Sequence, residues 1–357
     1  MILNLTFVLK KTTLMLVFNL LCLVCVSQNS FKKSFESNLS YGRILPHRST
    51  LKGIILKNSY SFEASLNFHT DGKKTYHYYY NFPTFSWTIH HTSSGNSKSI
   101  GSIIASYGSV NIPLSKRSNP LFIKLCFGAG WIEKKFDLES NFKNIAIGSN
   151  LNFNLQIKFE KIFYSLKNKY FKYGVLLNHF SNGSFKRPNL GINIFQMQAS
   201  YSFGINRQYI DTTYKNFKNL NKKNLCLYNV SAFKEVSTGS EKSFYINETA
   251  IQFEYRKNIK SSLNSGIDVL YNSSVKPSTK KNLQIGATFG HTLNIGNLKL
   301  ITLIGCHIYN KDDIQRRIYN KINIDYLITK KISSRISLRS HLFTADFVGI
   351  GFGYKLF

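Results

Sequence analysis

Along most of this chain, apolar and polar residues alternate one by one. In residues 151–160, Leu151, Phe153, Leu155, Ile157 and Phe159 are interleaved with Asn152, Asn154, Gln156, Lys158 and Glu160. Successive side chains of a strand point to opposite faces, so this period of two predicts strands with one apolar and one polar face. Residues 282–295 repeat it: Leu283, Ile285, Ala287, Phe289, Leu293 and Ile295 are set against Asn282, Gln284, Thr288, Thr292 and Asn294. Gly296 and Asn297 then reverse the chain, and 298–309 reads as the return strand of a short-turn hairpin. In residues 348–356, Val348, Ile350, Phe352, Tyr354 and Leu356 alternate with three glycines and Lys355, just before Phe357.

Alternation alone also suits a soluble sandwich, so the choice between sandwich and membrane barrel rests on other features. Residues 1–27 carry Lys10 and Lys11, an apolar run over 14–26 broken by Asn19, and then Ser27. That order predicts a cleavable secretory signal peptide, with a mature chain from Gln28. Cys22 and Cys25 do not follow Gly, Ala or Ser, so no lipid anchor is expected. No stretch after residue 27 offers ~18 consecutive apolar residues, which excludes a spanning helix. The strands run to about ten residues where soluble strands average ~5 to 6. Aromatic residues make up 15% of the chain, including 21 Tyr, a supply suited to interfacial girdles.

Unpaired backbone groups cannot face lipid, so such a sheet must close. The fold class predicted is therefore all-β, an antiparallel transmembrane outer-membrane β-barrel. A final alternating strand with a terminal aromatic resembles the closing strand of bacterial outer-membrane barrels. Allowing about 24 residues per strand and connection gives roughly 14 strands; about 12, in a range of about 8 to 14, is the expectation. Residues 28–57 lack clear alternation and are expected to form an N-terminal segment at the barrel's base or in its lumen. Residues 58–357 are expected to form one barrel domain.

The formal charge is +30, and loss of Lys10 and Lys11 with the signal peptide leaves +28. The basic residues are scattered among apolar ones, and an exported barrel meets no nucleic acid, so an anionic membrane glycolipid is the better partner. A solvated basic surface explains the same charge. Cys126, Cys226 and Cys306 are far apart in strand-like stretches, with neither disulfide framework nor metal-ligand spacing, and read as small apolar residues. No motif holds a nucleotide, a metal or a redox cofactor.

The chemistry concentrates in 173–193. Tyr173, Val175 and Leu177 define the apolar, lipid-facing side of a strand, and His179 and Ser181 continue that same side. Residues two apart lie ~6.6 Å apart along a strand and lean the same way, so an imidazole nitrogen can reach a hydroxyl. Polar groups on a lipid-facing stripe are costly unless they serve a purpose. In the next strand Asn193 heads the apolar register Phe195, Met197, Ala199, Tyr201 and Phe203, while Gln196, Gln198, Ser200 and Ser202 face inward. If the loop 182–190 joins these strands as a hairpin, Asn193 approaches His179. The pairs His47 with Ser49 and His91 with Ser93 repeat the spacing, and both read as structural.

The run NHFSNGSFKRPNLGIN, 178–193, resembles the His-x-Ser-Asn motif and Pro-Asn-x-Gly loop of the PagL-type outer-membrane lipid A 3-O-deacylases. ILPHRS at 44–49 and YNFP at 80–83 are similar to the long-chain acyloxyacyl hydrolase branch of that family. The resemblance implies a serine esterase that removes an ester-linked acyl chain from lipid A of lipopolysaccharide, in the bacterial outer membrane. It implies Ser181 as nucleophile, His179 as general base, and Asn189 as an oxyanion donor in a loop with Asn182, Gly183 and Gly191. The family's third member is a Glu twelve residues after the serine, and here that position is Asn193. An Asn carbonyl can orient a histidine N–H, but it brings no charge to stabilise the imidazolium. Two other readings stay open: a porin-like channel, and an inactive relative that binds lipopolysaccharide without cleaving it. A homodimer is also left open.

Overall fold

The computed structural model describes residues 32–116, 120–166, 169–204, 222–239, 242–275, 282–310, 317–342 and 344–357. The expected signal peptide, 1–27, lies outside the described residues. Sixteen strands are described: β1 (Lys32–Ile44), β2 (Ser59–His69), β3 (Thr84–Ser93), β4 (Ser102–Pro113), β5 (Leu121–Ile132), β6 (Leu151–Leu166), β7 (Lys169–Ser181), β8 (Ile192–Phe203), β9 (Lys223–Lys234), β10 (Phe244–Arg256), β11 (Ser261–Asn272), β12 (Leu283–Ile295), β13 (Leu298–Tyr309), β14 (Ile318–Leu327), β15 (Ile332–His341) and β16 (Thr344–Lys355). All pair antiparallel with their sequence neighbours inside two separate closed barrels, β1–β8 and β9–β16. Closure joins β1 to β8, with Ile44 opposite Ile194, and β16 to β9, with Gly349 opposite Ala232.

The all-β antiparallel barrel is thus the fold, and each barrel's eight strands fall inside the expected range of about 8 to 14. The architecture differs from the single barrel of about 12 strands expected over 58–357. It also differs at 28–57, where 32–44 forms β1 and 49–54 a 3-10 turn. β1 escapes the pattern because Ser37 and Arg43 interrupt its outward apolar series of Phe35, Leu39 and Tyr41. Which strands close a barrel is a long-range choice that alternation along the chain cannot express.

Both barrels are inside out relative to a soluble protein. Ser34, Glu36, Asn38 and Ser40 of β1 are buried, while Phe35, Leu39 and Tyr41 are exposed on the wall. Eight strands leave an interior just wide enough for side chains to fill, and ion pairs fill it here. In the first barrel Lys172 bridges Glu36 at 2.5 Å and Glu160 at 3.3 Å, Lys124 reaches Glu36 at 3.3 Å, and Lys158 pairs with Glu63. In the second, Lys321 joins Glu248 and Asp268, Arg339 joins Glu248, Lys299 joins Glu254, and Arg335 grips Asp325 with two bonds of 2.7 and 2.9 Å. Seven acids meet seven bases in these networks, so they take up none of the chain's positive surplus.

Contacts join the barrels at both ends. At one end Tyr80 donates from its hydroxyl to the Asn294 carbonyl at 2.7 Å, and Val110, Ile112 and Ile295 form one apolar cluster with it. At the other, Ser184 donates to the Ala345 carbonyl at 2.8 Å, and Glu235 binds both the Lys186 ammonium and the Arg187 N–H. The first barrel is capped at this second end by Ile44, Leu51, Ile54, Ile100, Ile132, Ile147, Phe180 and Ile192. This apolar plug anchors the loops that follow β1, β5 and β7.

Removing one partner of a buried ion pair leaves the other charged and unsolvated, at a cost of ~3 kcal/mol or more. Asp325→Asn should therefore destabilise the folded protein by about 3 kcal/mol in urea unfolding from detergent micelles. Adding Arg335→Met to it should recover at least half of that loss.

Candidate active site

The site grows from the same alternation that builds the wall. Phe180 of β7 and Ile192 and Ile194 of β8 point inward and are sealed in the plug. His179, Ser181 and Asn193 therefore stand on the outer, lipid-facing wall. β7 and β8 pair in the register that sets His179 directly opposite Asn193. The His179 Nδ1 to Asn193 Oδ1 distance is 2.6 Å, a short bond in which the ring N–H donates and the amide oxygen accepts. Nε2 is then the nitrogen with the lone pair, and Ser181 lies two residues farther along the same face.

The residues around the pair are apolar. Across β6, Phe153 is opposite Ser181 and Leu155 opposite His179. Phe127 of β5 stacks on Phe153 with ring centroids 6.1 Å apart. Leu177 and Phe195 continue the greasy wall below.

The loop 182–191 is braced from inside. The Asn182 N–H donates to Asn189 Oδ1 at 3.1 Å, and its side-chain amide donates to Ser149 Oγ and the Lys186 carbonyl at 2.8 and 2.9 Å. Asn189 is thus held by its carbonyl oxygen, and its NH2 is not spent on that bond. Gly191, at φ +81°, gives its N–H to the Ala146 carbonyl at 2.9 Å, and a Cβ on it would come within 2.8 Å of His179 Cε1. Only glycine lets the His179 ring lie against this turn. Gly183, at φ +63°, is buried where a Cβ would overlap Val348 of the second barrel. What requires glycine there is the joint between the barrels.

The structure brings the sequence-predicted residues His179 and Asn193 together and bonds Asn182 to Asn189 in the loop, while Ser181 follows His179 on the same face of β7 without a hydrogen bond to it. Among the described residues no acid replaces the missing Glu: Glu235 is the acid in this loop's contacts, and it is engaged by Lys186 and Arg187. Sequence reasoning missed His47. Its spacing to Ser49 is structural, yet its ring touches both Asn193 and the Leu190 carbonyl, at 3.0 and 2.9 Å. The available signal was its place in the ILPHRS segment, which the hairpin motif did not include.

A histidine bonded to an asparagine, with a serine two residues along the same strand face, stands on the outer wall of a closed antiparallel barrel. Residues 60–202 match the family described as lipid A 3-O-deacylase (PagL), and 223–357 match the C-terminal domain of acyloxyacyl hydrolase, together more than three quarters of the chain. The chain belongs to the PagL lipid A 3-O-deacylase family. Among solved structures, that of the outer membrane enzyme PagL is 17% identical over 46% of this chain and 97% of its own, with a TM-score of 0.33. A mutant porin of Rh. blastica is 9% identical over 91% of this chain and 99% of its own, with a TM-score of 0.19. No curated protein matches the chain.

Gly191→Ala forces a methyl into the His179 ring. Misplacing a reacting group by about 1 Å costs ~100-fold, so ester hydrolysis should fall by about that factor. The barrel's heat-dependent mobility on a denaturing gel should not change.

Proposed function

We propose that this outer-membrane protein hydrolyses an ester-linked acyl chain of lipid A, with Ser181 as nucleophile and His179 as its base. The observation that carries the reading is the outward placement of the array: a lipid substrate arrives sideways within the leaflet, and only a wall-mounted site can meet it there. His179 Nε2 takes the Ser181 proton as Oγ attacks the ester carbonyl carbon. The tetrahedral oxyanion forms beside the Asn189 NH2, where a preorganised donor is worth ~3 kcal/mol. The intermediate collapses, the C–O bond to the sugar breaks, and the imidazolium returns its proton to the departing alkoxide. Water, deprotonated by the same nitrogen, then attacks the acyl-serine, and the imidazolium returns that proton to Ser181 Oγ as the acyl C–Oγ bond breaks and the fatty acid leaves.

The basic residues of the capping loops support an anionic headgroup. Arg48 and Lys52 follow β1, and Lys135 and Lys143 lie between β5 and β6. Their charge raises the local concentration of phosphorylated glycolipid. Both lumens are packed with ion-paired side chains, which argues against conductance and so against a porin-like role. All members of the array come from one chain, so the proposed reaction needs no homodimer.

Asn193 gives specific weight to a second reading, an inactive relative that binds lipid A without cleaving it, because the charge that would stabilise the imidazolium is absent. Mass spectrometry of lipid A from membranes holding the intact protein or Ser181→Ala separates the two. The intact protein should remove one acyl chain and the variant none. Unchanged lipid A with both proteins, alongside retained binding, would instead establish the inactive relative. Asn189→Ala should lower kcat by about 100-fold with little change in KM, measured on lipid A in detergent micelles.

A further inference from the structure

An amide has one acceptor end and one donor end, so an Asn in the place of a carboxylate works only if something chooses its orientation. A carboxylate only accepts and holds a histidine N–H whichever way it turns. Asn193 turned over would present its NH2 to His179 Nδ1. The imidazole would then carry its proton on Nε2 and could not act as a base through that nitrogen.

His47 makes the choice, and the choice is anchored to backbone. The chain leaving β1 is tied to β8 by the Leu45 N–H, which donates to the Asn193 carbonyl at 2.8 Å. This sets His47 beside the Asn193 side chain, while Leu51 and Ile54 of the turn that follows are locked in the apolar plug. His47 Nε2 lies 2.9 Å from the Leu190 carbonyl, which can only accept, so in the neutral ring Nε2 carries the proton. Nδ1 is then an acceptor. It lies 3.0 Å from Asn193 Nδ2, which donates to it, and Oδ1 is left to face His179 at 2.6 Å.

We infer that His47 is a positioning residue: through the Leu190 carbonyl–His47–Asn193–His179 chain it fixes the Asn193 amide so that His179 keeps its lone pair on Nε2, the nitrogen that the proposed reaction uses as its base. The inference rests on the esterase reading for its consequence in rate, but not for its structural content. His47 lies outside the segment 60–202 that matches the deacylase family. The chain that replaces the acid is thus supplied by the strand that closes the barrel.

The test is a two-by-two set, His47→Leu with and without Asn193→Glu, in the full protein folded in detergent micelles. Imidazole nitrogen shifts of His179, assigned by their loss in His179→Gln, report the tautomer whether or not the protein turns over lipid. With Asn193 present, His47→Leu should shift His179 from the Nδ1–H form toward a mixture and lower kcat roughly ten- to hundredfold, with KM within about twofold. In the Asn193→Glu background, the same change should leave the Nδ1–H form in place and cost less than about threefold in kcat. An unchanged tautomer after His47→Leu in the Asn193 protein overturns the inference. So does an equal loss of Nδ1–H in both backgrounds, which would mark His47 as a general support of the loop. If the intact protein leaves lipid A unaltered while the tautomer responds as expected, the esterase reading fails and the positioning role stands.

Discussion

Every backbone N–H and C=O within a bilayer must find a partner in the protein, and this requirement organises the molecule. Strands satisfy it only by closing on themselves, which this chain does twice. Closure at eight strands leaves an interior that side chains fill, so the polar face of each strand is turned into a packed core. Charges buried there must be paired, and Glu36, Glu160 and Lys172 in one barrel answer to Glu248, Asp268 and Lys321 in the other. The apolar face becomes the outer wall, which is where a lipid is met.

The array proposed on such a wall has an unusual problem of support. Standing on an outer wall, the side chains must be held from behind and from the sides. The pairing of β7 with β8 supplies one part by setting His179 opposite Asn193. The plug supplies another, because Phe180, Ile192 and Ile194 fix the strands from the inner face. The loop between them is held by Asn182 from within and by the second barrel from without, through Glu235, Ala345 and Val348. The second barrel carries no member of the array, yet it braces the loop that carries Asn189.

The exchange of a carboxylate for Asn193 shifts the work from charge to orientation. A charged partner stabilises the imidazolium directly, whereas an amide can only hold the ring's N–H, and only in one of its two orientations. The contacts of His47 with Asn193 and Leu190 fit that requirement, and both depend on where the chain goes after β1.

The sequence by itself determined the strands and their faces. Alternation is local, and it assigned Tyr173, Val175, Leu177, His179 and Ser181 to one wall, as well as the outward register that begins at Asn193. The motif in 178–193 located the hairpin, because its residues are close in the chain. What the sequence could not express was long-range. The number of barrels depends on whether β8 returns to β1 or continues the sheet, a choice made between strands some 160 residues apart. β1 itself was hidden because pairing, rather than an unbroken apolar series, makes it a strand. The same holds for His47: its partner Asn193 is 146 residues away, and nothing in the spacing of His47 and Ser49 points to it. Gly183 likewise has its reason in Val348, on the other barrel. Periodicity set what each strand would do in a membrane; only closure decided which residues would meet.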